Sequence, residues 1–404
     1  MARIAATKWR ALVLVGVAQL LAMTLWFSGS AVGPELAELW GLTPTETAWL
    51  TNAVQLGFVV GALLSATLTI ADVIRPRTLF AACAFAGAAA TALIAGVVDS
   101  GSPAIVLRFL TGVALAGVYP TGMKMMAAWF RRGRGLAIGV LVGALTVGSA
   151  TPHLLRALGG IGQPRTVLFG TAGLAAVAGV LVLAYEDGPH QPRTAPFDPG
   201  AVRRIVSDRG VVLANAGYFG HMWELYAVWT WIPVFLVASL EASGTADAER
   251  IAALLAFGTI AIGGVGAWLA GSAADRWGRP LVTSASMIVS GSACLLAGVV
   301  FGSSLVVLVP FVLVWGFVIV ADSAQFSAAV SELAEDSYVG TALTLQTAIG
   351  FLLTIVTIQL IPIVQAAVGW RWAFAPLVVG PILGTLAMLT LRTLPEATRL
   401  GGNG

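Results

Sequence analysis

Charge is scarce in this chain: 10% of its 404 residues are Asp, Glu, Lys or Arg, against about 25% in soluble domains. That shortage excludes an ordinary soluble protein and makes lipid the expected solvent. Only two lysines occur, Lys8 and Lys124. Neither sits in a G-x-x-x-x-G-K-[ST] phosphate loop, which excludes a nucleotide-driven pump. The two cysteines, Cys83 and Cys294, lie in apolar runs far from metal-ligand spacing and read as small hydrophobes. The three histidines, His153, His190 and His221, have no serine or cysteine partner by spacing. No enzyme, metal or other cofactor is therefore expected. The net charge of +3 is accounted for by loop placement and needs no nucleic-acid partner.

What the chain has in quantity is apolar sequence, 58% of it, running from Ala11 to Leu391. A membrane helix takes about 20 such residues, so a chain of this length with short loops holds roughly twelve. Spans are expected near 11–33, 45–70, 79–98, 104–127, 136–157, 166–185, 210–236, 250–272, 281–301, 304–326, 340–364 and 372–392. Lys8 and Arg10 ahead of the first span imitate a signal peptide. Cleavage would leave a body that is still mostly apolar, so the segment reads as a retained first helix. Thr43-Pro44-Thr45-Glu46 reads as a capping box opening the second helix. The proline-rich polar stretch 186–209 separates two expected six-helix halves, 1–185 and 210–404.

Topology follows from Lys and Arg. One set of loop faces holds Arg3, Lys8, Arg10, Arg75, Arg77, Arg131, Arg132, Arg134, Arg193, Arg203, Arg204, Arg209, Arg276, Arg279, Arg392 and Arg399. The other holds Arg156, Arg165, Arg250 and Arg371. This bias places both termini, and the 186–209 linker, in the cytoplasm of a bacterial-type inner membrane. The halves also match by position. Asp72-Val-Ile-Arg75-Pro-Arg77 follows the second helix as Asp275-Arg276-Trp-Gly278-Arg279 follows the eighth, and Gly112 to Gly135 aligns with Gly316 to Gly340. Duplicated bundles of this kind are a transporter plan.

Gly271-Ser-Ala-Ala-Asp275-Arg276-Trp-Gly278-Arg279 carries the G-x-x-x-D-R-x-G-R loop signature, and Arg108-Phe-Leu-Thr-Gly112 an R-x-x-x-G pattern followed by Gly117-Val-Tyr119-Pro120. With the six-plus-six layout, these motifs resemble the major facilitator superfamily across the whole chain. The stretch from Arg108 to Phe130 also resembles the nitrate/nitrite and cyanate porters, and no substrate is carried over from it. The resemblance implies an all-α polytopic protein of twelve transmembrane helices in two pseudo-symmetric six-helix bundles. It also implies alternating access, with a central cavity lined by helices one, four, seven and ten. A conformational latch is expected at Asp72, Arg75, Arg77, Gly271, Asp275, Arg276, Gly278 and Arg279. The first-half copy departs from the signature, with Leu68 in place of the early glycine, so its latch is expected to be weaker. Helix five carries Gly135, Gly139 and Gly143, suited to close packing, but Pro152 stands four residues past Gly148 and gives no Gly-Pro drug-antiporter signature.

Ionisable groups at the centre of a membrane helix cost roughly 2.5–3.5 kcal/mol each, so each needs a partner or a task. Arg108, Lys124, His221, Glu224 and Asp322 all fall on the cavity helices. His221 and Glu224, three apart, share a helix face. A carboxyl group removed from water favours its neutral form, so Glu224 is the expected proton carrier, with His221 and Asp322 as companions. A purely structural hydrogen-bond pair is the alternative. Arg108 is placed to attract an anion or to hold Glu224 or Asp322. Lys124 is a second such cation or a snorkelling residue. Trp26, Tyr119, Trp223, Tyr226, Trp229 and Trp231 supply rings for a cationic solute, with Trp229 and Trp231 alternatively anchoring at the interface. Gln325, Gln55, Gln346 and Gln359 are suited to hydrogen bonding. The expected function is proton-coupled symport of a small inorganic or organic anion by a monomer in contact with lipid. Proton-coupled efflux of a cationic or amphipathic compound is the alternative.

Overall fold

The computed structural model describes residues 2–130, 134–190, 198–335 and 338–401, with side chains at 2–6, 71–72, 134–136 and 199 outside the description. Arg3, Asp72, Arg131, Arg132, Arg134, Gly135 and Arg193 thus lie wholly or by side chain outside the described residues. Among the described residues the secondary structure is helical throughout. Eleven helices are long and apolar enough to cross a membrane. They follow α1 (Ala2–Met23), which occupies the place of the first expected span. The others are α2 (Pro44–Thr67), α3 (Pro76–Val97), α4 (Gly101–Trp129), α5 (Ala137–Gly160), α6 (Pro164–Val182), α7 (Arg209–Ala242), α8 (Ala248–Trp277), α9 (Arg279–Val300), α10 (Leu305–Leu333), α11 (Val339–Val368) and α12 (Trp370–Arg392). They fall in two compact units, Met1–Thr194 and Ala195–Gly404.

The units repeat one packing plan. In the first, α2 packs on α4, α3 on α6, and α1 on α5 and α6; in the second, α8 packs on α10, α9 on α12, and α7 on α11 and α12. The same device closes the tightest pair in each. A Cβ on Gly112 of α4 would lie 2.1 Å from the Val54 carbonyl oxygen of α2, and one on Gly316 of α10 would lie 1.9 Å from that of Thr259 on α8. Membrane helices associate through such close backbone approach. Gly316→Ala is therefore expected to reduce the monodisperse peak in fluorescence-detected size exclusion severely, while Gly143→Ala, with nothing within 4 Å of its added methyl, leaves it unchanged. On α5 the close approach falls at Gly148, whose Cβ would meet the Leu20 carbonyl oxygen at 2.3 Å, and not at Gly143.

Helix ends follow local chemistry. Thr43 Oγ1 accepts from the Glu46 N–H and Glu46 Oε2 accepts from the Thr43 N–H, so the expected capping box opens α2. The first span differs from expectation. It stops at Met23, and the chain resumes as short helices Ser28–Ala31 and Gly33–Trp40. Hydroxyls explain the interruption: Thr24 donates to the Leu21 carbonyl, Ser28 to that of Leu25 and Ser30 to that of Phe27. Side chains that bond nearby carbonyls bend or end helices. Two later spans are also interrupted, α4 between Leu115 and Tyr119 and α10 between Ala321 and Ser323. The interruptions correspond: Val118 stands as far beyond Gly112 as Asp322 does beyond Gly316.

Candidate functional site

Broken membrane helices expose backbone and polar groups where a continuous helix would not, and the break in α10 places Asp322 against α7. His221 of α7 holds its Nδ1 2.9 Å from Asp322 Oδ1, with both side chains 1% exposed. The approach lies off the ring N–H axis, so it is an electrostatic contact more than a linear hydrogen bond. The other ring nitrogen, Nε2, is 2.8 Å from Ser323 Oγ. Tyr218 and Phe326 wall the imidazole, with ring centroids 6.2 and 5.6 Å away.

One helical turn along α7, Glu224 turns to a different neighbour. It is fully buried, and its Oε1 accepts from Ser290 Oγ at 2.5 Å and its Oε2 from Cys294 Sγ at 3.4 Å, both on α9. Glu224 and His221 thus share a helix without bonding each other, and Asp322 is the imidazole's acidic partner. Cys294, expected as a mere small hydrophobe, is a thiol donor to a buried carboxyl. Sequence reading missed Ser290 altogether. The one available signal was its spacing of four from Cys294, which sets both on one helix face.

His221, Asp322 and Glu224 bring one imidazole and two carboxyl groups into the buried interior of the second unit. The arginines of the second unit stand at helix ends and in loops, not beside them. Buried ionisable groups of this kind need a partner or a task.

Arg108 has other employment. It is 1% exposed, and its Nε donates to the Leu50 carbonyl at 2.8 Å, Nη1 to the Leu25 carbonyl at 2.8 Å and to Ser28 Oγ at 2.9 Å, and Nη2 to the Trp26 carbonyl. These bonds use four of the five N–H groups of a guanidinium. The Leu25 and Trp26 carbonyls lie at the break after α1, where the negative end of a helix dipole also favours a cation, and the Leu50 carbonyl lies on α2. Arg108 was expected to attract an anion or to hold Glu224 or Asp322; its described partners are carbonyls and Ser28, and they fasten the broken first span to α2. Lys124 and Tyr119, on the second piece of α4, are half-buried.

Of the rings expected to cage a cation, Trp26, Tyr226, Trp229 and Trp231 are packed as core, while Tyr119 and Trp223 are half-buried. Trp26 stacks on Phe58 at 4.9 Å, and Tyr226 lies 5.7 Å from Trp229 and 5.1 Å from Phe351. Trp229 is buried, and Trp231 donates to the Ile358 carbonyl at 2.9 Å, so neither is a lipid-interface anchor.

Gln325 belongs to the signature loop, not to the His221 group. Its Oε1 accepts from Arg279 at 2.6 Å, while Arg279 also grips both oxygens of Glu332 at 2.8 and 2.6 Å. Gly278, at φ 87°, turns the chain from α8 into α9. Gly271 leaves room beside Gln325, whose Nε2 would stand 3.7 Å from an added Cβ. Asp275 is 75% exposed and 3.9 Å from Arg279, and Arg276 is exposed. In the first unit Arg77 donates to the Tyr185 carbonyl at 3.4 Å, and Arg75 is exposed before α3.

Two helical units with one packing plan, each built around broken spans, define a multi-pass membrane transporter. The Major Facilitator Superfamily sequence profile matches residues 15–357, and the chain belongs to that family. Among solved structures it is similar to the nucleoside transporter NupG, at TM-score 0.72 and 14% identity over 94% of this chain and 99% of that one. It is also similar to a bacterial homologue of the human lysosomal transporter Spinster, solved inward-facing. The unoccupied form gives TM-score 0.74 at 13% identity over 96% and 99%, and the occupied form 0.72 at 13% over 96% and 98%. At these identities the likeness is one of fold. Comparison with curated proteins gives no match.

Proposed function

We propose that this chain is a secondary active transporter that couples movement of a small solute to protonation of a buried group formed by His221, Asp322 and Glu224. The observation that carries the reading is burial: two carboxyl groups and an imidazole, each at most 1% exposed, are gathered in the interior of one unit. A fixed structural pair needs only one acid and one base. The second carboxyl, held by Ser290 and Cys294 on another helix, is the surplus that a proton carrier supplies. The anion preference expected from sequence leaned on two cations of α4. With Arg108 committed to carbonyls, it rests on Lys124 alone. Efflux of a cation loses its support with the packing of Tyr226 and Trp229.

The test is accumulation in proteoliposomes under an imposed pH gradient. Saturable uptake that a protonophore abolishes supports coupling; saturable flux indifferent to the gradient contradicts it.

The orientation in this proposal has both termini in the cytoplasm of an inner membrane, supported by the basic loops. An impermeant thiol reagent applied to intact cells is then expected to label Ala246→Cys, between α7 and α8, and to spare Ser207→Cys, before α7. The reverse pattern overturns the orientation.

A further inference from the structure

A second polar cluster in the same unit meets the proton group only through Ser323. The lower piece of α10 sets Ser323, Ser327 and Ser331 four residues apart, along one helix face. Ser327 Oγ donates to Gln346 Oε1 of α11 at 3.1 Å, and Gln346 Nε2 donates to Asn215 Oδ1 of α7 at 2.9 Å. Asn215, Ser327 and Gln346 each stand six or seven residues from the helix ends at Arg209, Leu333 and Val339, a common depth of about 10 Å. Gln346 is buried, whereas Ser323, Ser327 and Asn215 are half-buried. The chain of amides and hydroxyls is therefore held in place at its centre and open at its sides.

We infer that Ser323, Ser327, Asn215 and Gln346 bind the transported solute, and that the solute is a neutral molecule recognised by its hydroxyl or amide groups. The inference rests on the reading of this chain as a proton-coupled porter and supplies its substrate class. Every group in the cluster is both a donor and an acceptor, and none is charged. An anion would call for a fixed cation here. Of the arginines at this end of the unit, Arg279 is held by Glu332 and Gln325, and Arg203, Arg204, Arg209, Arg276, Arg392 and Arg399 are exposed. A cation would call for a carboxylate or an open ring face; Asp322 faces His221 and Glu224 faces Ser290 and Cys294, and Tyr226 and Trp229 are packed against other rings. The cluster also touches the proton group at one point. Ser323 reaches His221 Nε2 from one turn above Ser327, so a solute hydroxyl that recruits Ser323 takes a hydrogen-bond partner from the imidazole. Binding and protonation are linked through that shared hydroxyl.

Interhelical amide bonds also serve simply to hold membrane helices together, and the test separates the two roles. The full chain, purified in detergent with no proton gradient, is titrated by thermal shift. The neutral probes are D-glucose, N-acetyl-D-glucosamine and uridine; the charged probes are nitrate, succinate and choline. At least one neutral probe is expected to stabilise the protein. Gln346→Leu and Asn215→Leu should each weaken it by about tenfold, the scale of one lost hydrogen bond, and exposed Ser331→Ala should leave it within about twofold. Should the leucine variants fold poorly, Ser327→Cys in a Cys83→Ser background gives a second reading: the same probe should slow its modification by N-ethylmaleimide. Binding of a charged probe alone, no binding by any neutral probe, or neutral binding untouched by both leucine variants with no protection of Ser327→Cys overturns the inference. Because no gradient is present, failure here leaves proton coupling standing, and loss of coupling in Glu224→Gln leaves this binding intact.

Discussion

Glu224→Gln is expected to abolish pH-driven accumulation while leaving solute exchange close to the parent rate. The amide keeps the shape of the carboxyl and still accepts from Ser290, so the α7–α9 contact survives. What is lost is the second acid. His221 and Asp322 remain in contact, but the carboxyl proposed to load and release the proton is gone. Exchange requires no net proton movement, so it should persist. Asp322→Asn is expected to be worse in both assays, since it strips the imidazole of its acidic partner as well as removing a titratable site. Gradient-driven accumulation by Glu224→Gln equal to the parent's would remove Glu224 from the coupling step.

Arg108→Ala is expected to act on stability, and strongly. It leaves the Leu25, Trp26 and Leu50 carbonyls without the donor they share, in an interior where water cannot replace it. Hydrogen bonds to a charged group contribute about 1.5–3 kcal/mol each and are not additive, so a loss of several kcal/mol is the expected scale. Arg108→Lys should rescue little, because an ammonium cannot span acceptors on two segments with a planar fork. Thermal unfolding in detergent measures this. An unchanged melting temperature combined with weakened anion binding would restore the role expected from sequence.

How much was legible in the sequence differs between scaffold and site. Hydropathy alone locates the spans, because each must cover its backbone with apolar side chains. The signature residues Gly271 to Arg279 and Arg108 to Gly112 point to the family. The duplication is legible in the glycines as well, since Gly112 and Gly316 meet a carbonyl in the same way. The breaks were not legible. Asp322 and Val118 lie within uninterrupted apolar stretches, and the interruption after Met23 depends on Arg108, which is distant in sequence. Partners across helices were equally hidden. Glu224 and His221 look like a pair at a spacing of three, yet the pairing is decided by which neighbour each faces, Ser290 and Cys294 for one and Asp322 for the other. Gln325 looked like a cavity residue on proximity to Asp322, but α10 carries it round to Arg279.

Proton movement driven by solute is the most direct test of the central claim. Proteoliposomes loaded with a pH-sensitive dye are given a gradient of a solute whose flux saturates, with pH equal on both sides at the start. The parent protein is expected to change the internal pH in step with the flux, and Glu224→Gln is expected to exchange solute with no pH change. Saturable solute flux through the parent with internal pH constant would contradict the account.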